Sequence, residues 1–190
     1  MSLELAIIVG SGSDVDKLVP GIERFAAEHK DVSVDVVVAS CHRTPQKVID
    51  VMAGVYHRFL SHPELEGKHI YLAGAGMAAA LPGMIKAKNF RTPIIGIPIS
   101  DDKNQYNTNA SVLAMLQMPP GLGIAVAPVN GSYSALNVAY NYLTQSFDGI
   151  ELYFEDTTAD MSGRESFIKT LDALNIPAGK QICISETPPH

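Results

Sequence analysis

Short, continuously apolar runs alternate along the chain with longer segments of helical periodicity. The first run, Leu5–Val9, is apolar at every position and ends at Gly10, which is typical of a strand buried on both faces of a sheet. Apolar residues three and four positions apart predict a helix after each of the first two runs, and Thr44 and Pro45 mark the start of the second. The pattern predicts strands at residues 5–9, 32–39, 69–73, 93–98 and 122–128, and helices at residues 14–28, 44–59, 111–118 and 134–143.

This alternation predicts an α/β protein with a three-layer, doubly wound parallel sheet of about five strands. The pattern becomes irregular after Phe147, where residues 150–154 and 181–185 suggest short strands and residues 165–174 suggest a helix. We therefore expect one α/β domain over residues 1–146. Residues 147–190 would form a C-terminal extension that packs on the same or a neighbouring subunit.

Composition excludes several classes of function. The chain has 14 basic and 20 acidic residues, a formal net charge of -6 and no basic cluster, which argues against a nucleic-acid partner. No apolar run is long enough for a membrane span, and no secretory leader is visible. The two cysteines, Cys41 and Cys183, fit neither a disulfide framework nor a zinc motif. We expect a cytoplasmic protein without a metal site.

The carboxyl ends of three predicted strands carry unusual sequence, and in a parallel sheet such ends converge on one crevice. After the first strand comes Gly10–Asp14 (GSGSD), in which glycines allow close backbone approach and Ser11 and Ser13 offer hydroxyl donors. With the amino end of a helix behind it, this loop suits a phosphate. The alternative is a tight turn in which Ser13 or Asp14 caps the helix.

After the second strand comes Ser40–Pro45 (SCHRTP), whose central residue is His42. If the segment is extended, alternate side chains share a face, so that Ser40 lies with His42 and Cys41 points away. Imidazoles exchange protons near neutral pH, which makes His42 the candidate acid or base. A capping or solvated histidine is the alternative, and Arg43 is either a phosphate ligand or an exposed charge.

After the third strand comes Gly74–Met84 (GAGMAAALPGM), a run of small side chains. Such a run allows a flat ring to contact the backbone closely. It equally suits tight packing between a helix and a strand, and composition alone favours packing.

Together, GSGSD, SCHRTP, GAGMAAALPGM and the later Gln117–Gly121 (QMPPG) resemble the PurE family of purine biosynthesis, over roughly residues 5–143. Members of that family are carboxyaminoimidazole ribonucleotide mutases, often called phosphoribosylaminoimidazole carboxylase catalytic subunits, of the isomerase or lyase class. The resemblance implies a flavodoxin-like sheet, a homo-octamer with sites between subunits, and no metal or organic cofactor. The implied reaction moves a carboxylate from an exocyclic nitrogen to a ring carbon, by decarboxylation and recapture of carbon dioxide.

The resemblance also implies a role for individual residues. His42 would be the catalytic proton shuttle. The remaining site residues would bind the ribonucleotide: Ser11, Ser13 and Asp14 at the ribose phosphate end, Ser40 and Arg43 along the ligand, Gly74, Ala75 and Gly76 beside the ring, and Ala80 and Leu81 further along the same run of residues.

The chain departs from the family pattern at several places. Ala80 stands where the pattern GAGxAAHLPG has a histidine, so one imidazole beside the ring is missing. Smaller departures are Cys41, the segments 100–104 and 128–132, and the tail from Phe147. Two hypotheses therefore stay open, namely a working mutase with a changed site and a ribonucleotide-binding paralogue of the family that is non-catalytic or has altered specificity.

Overall fold

The computed structural model describes residues 3–65 and 67–144 in full, and the backbone of residues 150–153 and 182–185. It contains the predicted parallel sheet. Its five strands are β1 (Leu3–Val9), β2 (Val32–Val38), β3 (Tyr71–Ala75), β4 (Ile94–Pro98) and β5 (Ala125–Val126).

All strand pairs in this sheet are parallel, and the order is β2-β1-β3-β4-β5. The chain thus moves outward in one direction from β1 to β2 and then returns past β1 to β3, which is the flavodoxin-like arrangement. Residues 5–9 of β1 and all of β3 and β4 are buried, because helices cover both faces. The predicted fold class is confirmed.

Five helices form the outer layers: α1 (Val15–Glu28), α2 (Pro45–Leu60), α3 (Ala80–Lys88), α4 (Gln105–Leu116) and α5 (Ser132–Thr144). Helices α1 and α5 pack against each other on one face, while α3 contacts α2 and α4 on the other. The periodicity identified the inward faces correctly, since Leu18 and Phe25 of α1 and Val48, Met52 and Phe59 of α2 are buried.

Two predicted boundaries are wrong, and each error has a local cause. Helix α4 begins at Gln105 rather than at residue 111, because the Asn104 side chain accepts a hydrogen bond from the Tyr106 amide at 3.0 Å and caps a polar first turn. Strand β5 has two residues rather than seven. It follows Gly121, whose φ of +82° turns the backbone, and it precedes Pro128, which has no amide hydrogen for the ladder.

The chain divides into two compact units, residues 1–144 and 145–190. In the second unit, β6 (Ile150–Tyr153) and β7 (Ile182–Ser185) pair in parallel, close to the predicted strands at 150–154 and 181–185. The predicted helix at residues 165–174 lies outside the described residues. The exact domain boundary at 146 and the placement of the extension stay predictions.

Candidate active site

The carboxyl ends of β1, β2 and β3 open into one crevice of about 590 Å³, the strand-end crevice. All three segments singled out in the sequence contribute to it, because parallel strands deliver their ends to the same edge of the sheet. Its lining consists of Gly10, Ser11, Ser13, Asp14, Ser40, Cys41, His42, Arg43 and residues 75–81.

The loop after β1 presents hydroxyl and amide groups to the crevice. The Ser11 and Ser13 hydroxyl oxygens are 3.0 Å apart, and a single 3-10 turn, Gly12–Asp14, leads directly into α1. The Gly10 amide donates to the Gly74 carbonyl at 3.0 Å, which joins the loop to the end of β3. The first amides of α1 therefore lie behind two hydroxyl groups, an arrangement that suits an anion.

Asp14 does not cap α1 as the sequence alternative proposed. It occupies the N-cap position, but its side chain makes no capping hydrogen bond. Burial raises the pKa of its carboxyl above the ordinary value, while a hydrogen bond from the Ser11 backbone and the nearby Arg43 charge oppose that shift. The carboxyl group is thus half-buried in the crevice wall and remains available to a ligand.

The segment after β2 is a turn and not an extended strand. The Thr44 amide donates to the Ser40 carbonyl at 2.8 Å. The Thr44 hydroxyl donates to the same carbonyl at 3.2 Å and accepts from the Ser40 amide at 3.1 Å. The expected alternation of side chains is therefore wrong: the turn brings Ser40, Cys41 and His42 to the crevice together.

Cys41 is the lining residue that the sequence argument set aside. Its side chain is half-buried, and burial raises the pKa of the thiol, so it is protonated at neutral pH. The helix start marked by Thr44 and Pro45 was the sequence feature that could have indicated a turn, because a helix that begins at Pro45 leaves only residues 39–44 between it and β2.

Arg43 connects the two loops. Its amide donates to the Ser40 hydroxyl oxygen at 3.3 Å, and its guanidinium Nη2 donates to the Gly10 carbonyl at 3.4 Å. The guanidinium also lies close enough to Asp14 to affect its charge. Arg43 therefore brings a positive charge to the place where the hydroxyls and amides of the first loop converge.

The third wall is a tight turn of small residues at the end of β3. Met77 and Ala79 both adopt positive φ, +53° and +33°, and the Ala79 amide donates to the Gly76 carbonyl at 3.0 Å. Helix α3 then starts at Ala80, which is exposed to the crevice, whereas Leu81 is only 1% exposed. Met77, which the sequence did not single out, is 60% exposed at the rim.

Gly74 lies in the sheet and is absent from the lining of the crevice. A Cβ atom at this position would stand 3.2 Å from Val9 Cγ1 and 3.4 Å from Leu18 Cδ1. Its lack of a side chain therefore serves the packing of α1 on the sheet, which was the alternative weighed from composition. Ala75 and Gly76 are the members of this run that reach the crevice beside β3.

Within residues 3–65 and 67–144, no group of three or more His, Cys, Asp or Glu side chains is placed to hold a metal ion. The same part of the chain contains no helix that is both long and apolar enough to cross a membrane. The chemistry available in the crevice is thus a hydroxyl and amide cradle, one guanidinium, one carboxyl, one thiol and the imidazole of His42.

Strand order and crevice together define a flavodoxin-like α/β protein whose crevice lies at the point where the strand order reverses, the usual ligand position in such sheets. The chain belongs to the AIR carboxylase family, whose model matches residues 4–163. This match continues beyond the last of the sequence motifs into the C-terminal extension.

Curated relatives agree with this assignment. The chain is 32% identical over 160 residues to the N5-carboxyaminoimidazole ribonucleotide mutase of Pyrococcus abyssi, and the alignment covers 83% of both chains. It is 30% identical over 162 residues to the mutase of Saccharolobus solfataricus, covering 83% of this chain and 94% of the relative. The corresponding Mycobacterium tuberculosis protein is 29% identical over 160 residues, with 83% and 84% covered.

Proposed function

We propose that this protein is a carboxyaminoimidazole ribonucleotide mutase of purine biosynthesis. The observation that carries the proposal is the strand-end crevice, which His42 lines together with the Ser11–Asp14 loop in a chain of the AIR carboxylase family. The substrate would be a ribonucleotide whose aminoimidazole ring bears a carboxylate on its exocyclic nitrogen. Carbon dioxide would be held in the site between the two halves of the reaction.

The geometry supports a definite orientation of the substrate. The phosphate would bind Ser11 and Ser13 at the amino end of α1, where Arg43 supplies a positive charge. The half-buried Asp14 would accept hydrogen bonds from the ribose, and Ser40 would line the same side. The ring would lie along Ala75 and Gly76, with Ala80 and Leu81 closing the far end. The small side chains of this wall would let the ring lie directly against the backbone, and this contact would exclude water from that side of the ring.

The proposed reaction needs one proton carrier. First the bond between the exocyclic nitrogen and its carboxylate breaks, carbon dioxide is released, and protonated His42 gives a proton to the nitrogen. The ring carbon then attacks carbon dioxide to form the new carbon–carbon bond. Neutral His42 takes the proton that this carbon loses and returns to its starting state. Atoms and charge balance over the cycle without an external acid or base.

The second candidate is a ribonucleotide-binding paralogue that does not catalyse this reaction. Ala80 favours it, because the crevice wall carries a methyl group where the family pattern has an imidazole, and His42 is the one imidazole among the described lining residues. Loss of a positioned acid or base costs about 10²–10⁴ in rate when that group takes part in the chemistry. Binding of the phosphate by Ser11 and Ser13 would be unaffected.

The decisive experiment follows both carboxylated isomers by NMR with full-length protein. The mutase proposal expects interconversion by the wild type, its loss in His42→Asn, and no change in His57→Asn, a matched substitution of an exposed histidine on α2 outside the crevice. Wild-type protein that binds aminoimidazole ribonucleotide but does not interconvert the isomers would support the paralogue. Activity gained by Ala80→His would then identify that position as the cause.

We also propose a homo-oligomer, an octamer by the resemblance, that acts in the cytoplasm. Helix α4 has no charged residue, and its Tyr106, Leu113 and Leu116 side chains are exposed in this single chain, which suits a contact between copies. Light scattering should show an oligomer in the wild type and a smaller species in Leu116→Glu. A wild-type monomer would contradict the proposed oligomer.

The proposed location in the cytoplasm has separate support, because the free thiol of Cys41 suits a reducing compartment.

A further inference from the structure

A second cavity, of about 540 Å³, opens at the amino ends of β3 and β4, and we name it the amino-end pocket. It lies at the opposite edge of the sheet from the strand-end crevice: Tyr71 at the start of β3 lines the pocket, and Ala75 at the end of β3 lines the crevice. None of the residues assigned to the mutase reaction contributes to it. Its walls include Met52, Tyr56, His69, Lys88, Arg91 and Tyr142.

Aromatic rings form one side of the amino-end pocket. The His69 ring stands edge-to-face with Tyr56, 5.0 Å between centroids at 74°, and with Tyr71, 6.3 Å at 86°. Both ring nitrogens of His69 are engaged, Nδ1 with the Gly67 carbonyl at 3.3 Å and Nε2 with the Thr92 hydroxyl at 2.6 Å. This ring is therefore fixed, and with its neighbours it offers a preformed wall against which a flat ligand can stack.

Positive charge forms the other side. Lys88 and Arg91 line the pocket, none of its described lining residues carries a carboxylate, and residues 67–100 contain no Asp or Glu. Behind the wall, the buried Lys86 ammonium donates to the Thr92 carbonyl at 3.0 Å. In the described part of the chain, none of these three cations has a carboxylate within 4 Å. An acidic protein thus keeps a local positive potential at this pocket.

Helix α3 accounts for part of this charge. Lys86 and Lys88 stand in its last turn, where the backbone carbonyls favour cations. Arg91 lies beyond the helix end, so the helix does not explain it. A fork of guanidinium donors beside aromatic walls matches a planar ring that carries an anionic group.

We propose that the amino-end pocket binds a nucleoside monophosphate, with the base against Tyr56 and His69 and the phosphate on Arg91 and Lys88. The volume lies within the range of roughly 300–1,000 Å³ that small-molecule sites occupy. The side-chain amide of Asn89, which lines the pocket, provides hydrogen-bonding groups for the base edge. This site is separate from the reaction site, and its existence does not depend on the mutase activity.

The test is isothermal titration of the full-length protein with AMP. Arg91→Gln should weaken binding about tenfold or more, because it removes a charge-assisted contact to the phosphate. Tyr56→Leu should weaken it at least about fivefold through lost stacking. Lys30→Gln, an exposed cation at the end of α1, is the matched charge control and should bind as the wild type does. Arg91 is exposed and Tyr56 is 37% exposed, and thermal unfolding of each variant will distinguish a loss of binding from a loss of folding.

A fourth variant separates the two sites. Ser13→Ala weakens any nucleotide held in the strand-end crevice but leaves the amino-end pocket intact, so AMP binding that survives Ser13→Ala and fails in Arg91→Gln supports the proposal. The reverse pattern would overturn it, as would the absence of saturable binding at millimolar AMP. If inorganic phosphate bound to the pocket as strongly as AMP does, and adenosine did not compete with AMP, the proposed contact of the base with the aromatic wall would be refuted.

Discussion

The Thr44 hydroxyl holds the turn that carries His42, and its removal tests whether local backbone geometry sets the activity. Thr44→Val replaces the hydroxyl by a methyl group of similar shape. It deletes the two hydrogen bonds to the Ser40 backbone, at 3.1 and 3.2 Å, and leaves the 2.8 Å bond between the Thr44 amide and the Ser40 carbonyl. The helix cap is not affected, because the Thr44 side chain makes no capping bond.

The expected loss of stability is small. A hydrogen bond contributes about 0.5–1.5 kcal/mol net, and these two lie at an exposed turn where water can replace them, so the free energy of unfolding should fall by about 1 kcal/mol. In a chain of this size that corresponds to a Tm about 2–4 °C lower. The effect on catalysis should be larger. A displacement of about 1 Å at a reacting group can cost about 10²-fold, and since one backbone bond remains we expect kcat/KM to fall about tenfold.

The assay measures isomer interconversion and thermal unfolding on the same samples, with Thr44→Ser as the matched control that keeps the hydroxyl. Thr44→Ser should stay within about twofold of the wild type in kcat/KM, which is a change of less than about 0.5 kcal/mol in the barrier. Wild-type activity in Thr44→Val would refute the idea that the hydroxyl positions His42. An equal loss in both variants would show that the methyl group, and not the hydroxyl, is what matters.

Three further predictions concern other parts of the molecule. Gly21→Ala should destabilise the fold by about 1–3 kcal/mol in chemical unfolding, because a Cβ atom there would stand 2.2 Å from the Ser132 hydroxyl oxygen. Gly54→Ala should stabilise the fold by about 0.5–1 kcal/mol, because a Cβ atom there would have no atom within 4 Å. Equal effects of the two substitutions would contradict the packing argument. Burial raises the pKa of Asp14, so the charged carboxylate opposes folding, and Asp14→Asn should be more stable than the wild type at pH 7. The difference in stability should vanish as the pH falls below 3.8, the ordinary pKa of the group. A less stable variant at pH 7 would refute this. Asn104→Ala should lose about 1 kcal/mol because it removes the cap of α4, and unchanged unfolding would show that the cap is dispensable.

Hydrophobic periodicity predicted the layers of the fold because burial is decided locally along each element. Leu5–Val9 is apolar at every position and is buried on both faces, and the spacing in α1 identified the inward-facing Leu18 and Phe25. Where a side chain bonds to the backbone, periodicity fails. The capped first turn of α4 has exposed Gln105 and Tyr106, and its buried residue, Thr108, is polar, so no apolar spacing revealed it.

The candidate site was predicted in position but not in detail. The ends of β1, β2 and β3 do converge, because parallel pairing fixes where they emerge. The conformation of residues 40–44 was missed because it depends on the Thr44 hydroxyl, a single atom whose partner cannot be read from hydropathy. The family resemblance assigned Gly74 to the crevice, whereas its lack of a side chain serves the contact of Leu18 with the sheet, as composition had favoured. The amino-end pocket could not be predicted from the sequence, since its walls come from segments that are far apart along the chain.

The number of protons transferred in the proposed reaction limits the effect that Ala80, in place of the histidine of the family pattern, can have on catalysis. One proton goes to the exocyclic nitrogen and one leaves the ring carbon, so a single group that alternates between its two states is sufficient, and His42 is placed among the lining residues to be that group. A second imidazole at position 80 would therefore act on the orientation of the ring or of carbon dioxide and not on the proton balance. Since Ala80 lies at the start of α3, directly after the turn formed by Met77 and Ala79, the wall there has a fixed backbone and lacks one hydrogen-bonding side chain. On this argument, the replacement would change how tightly the ring is held, while the proposed pathway through His42 would stay complete.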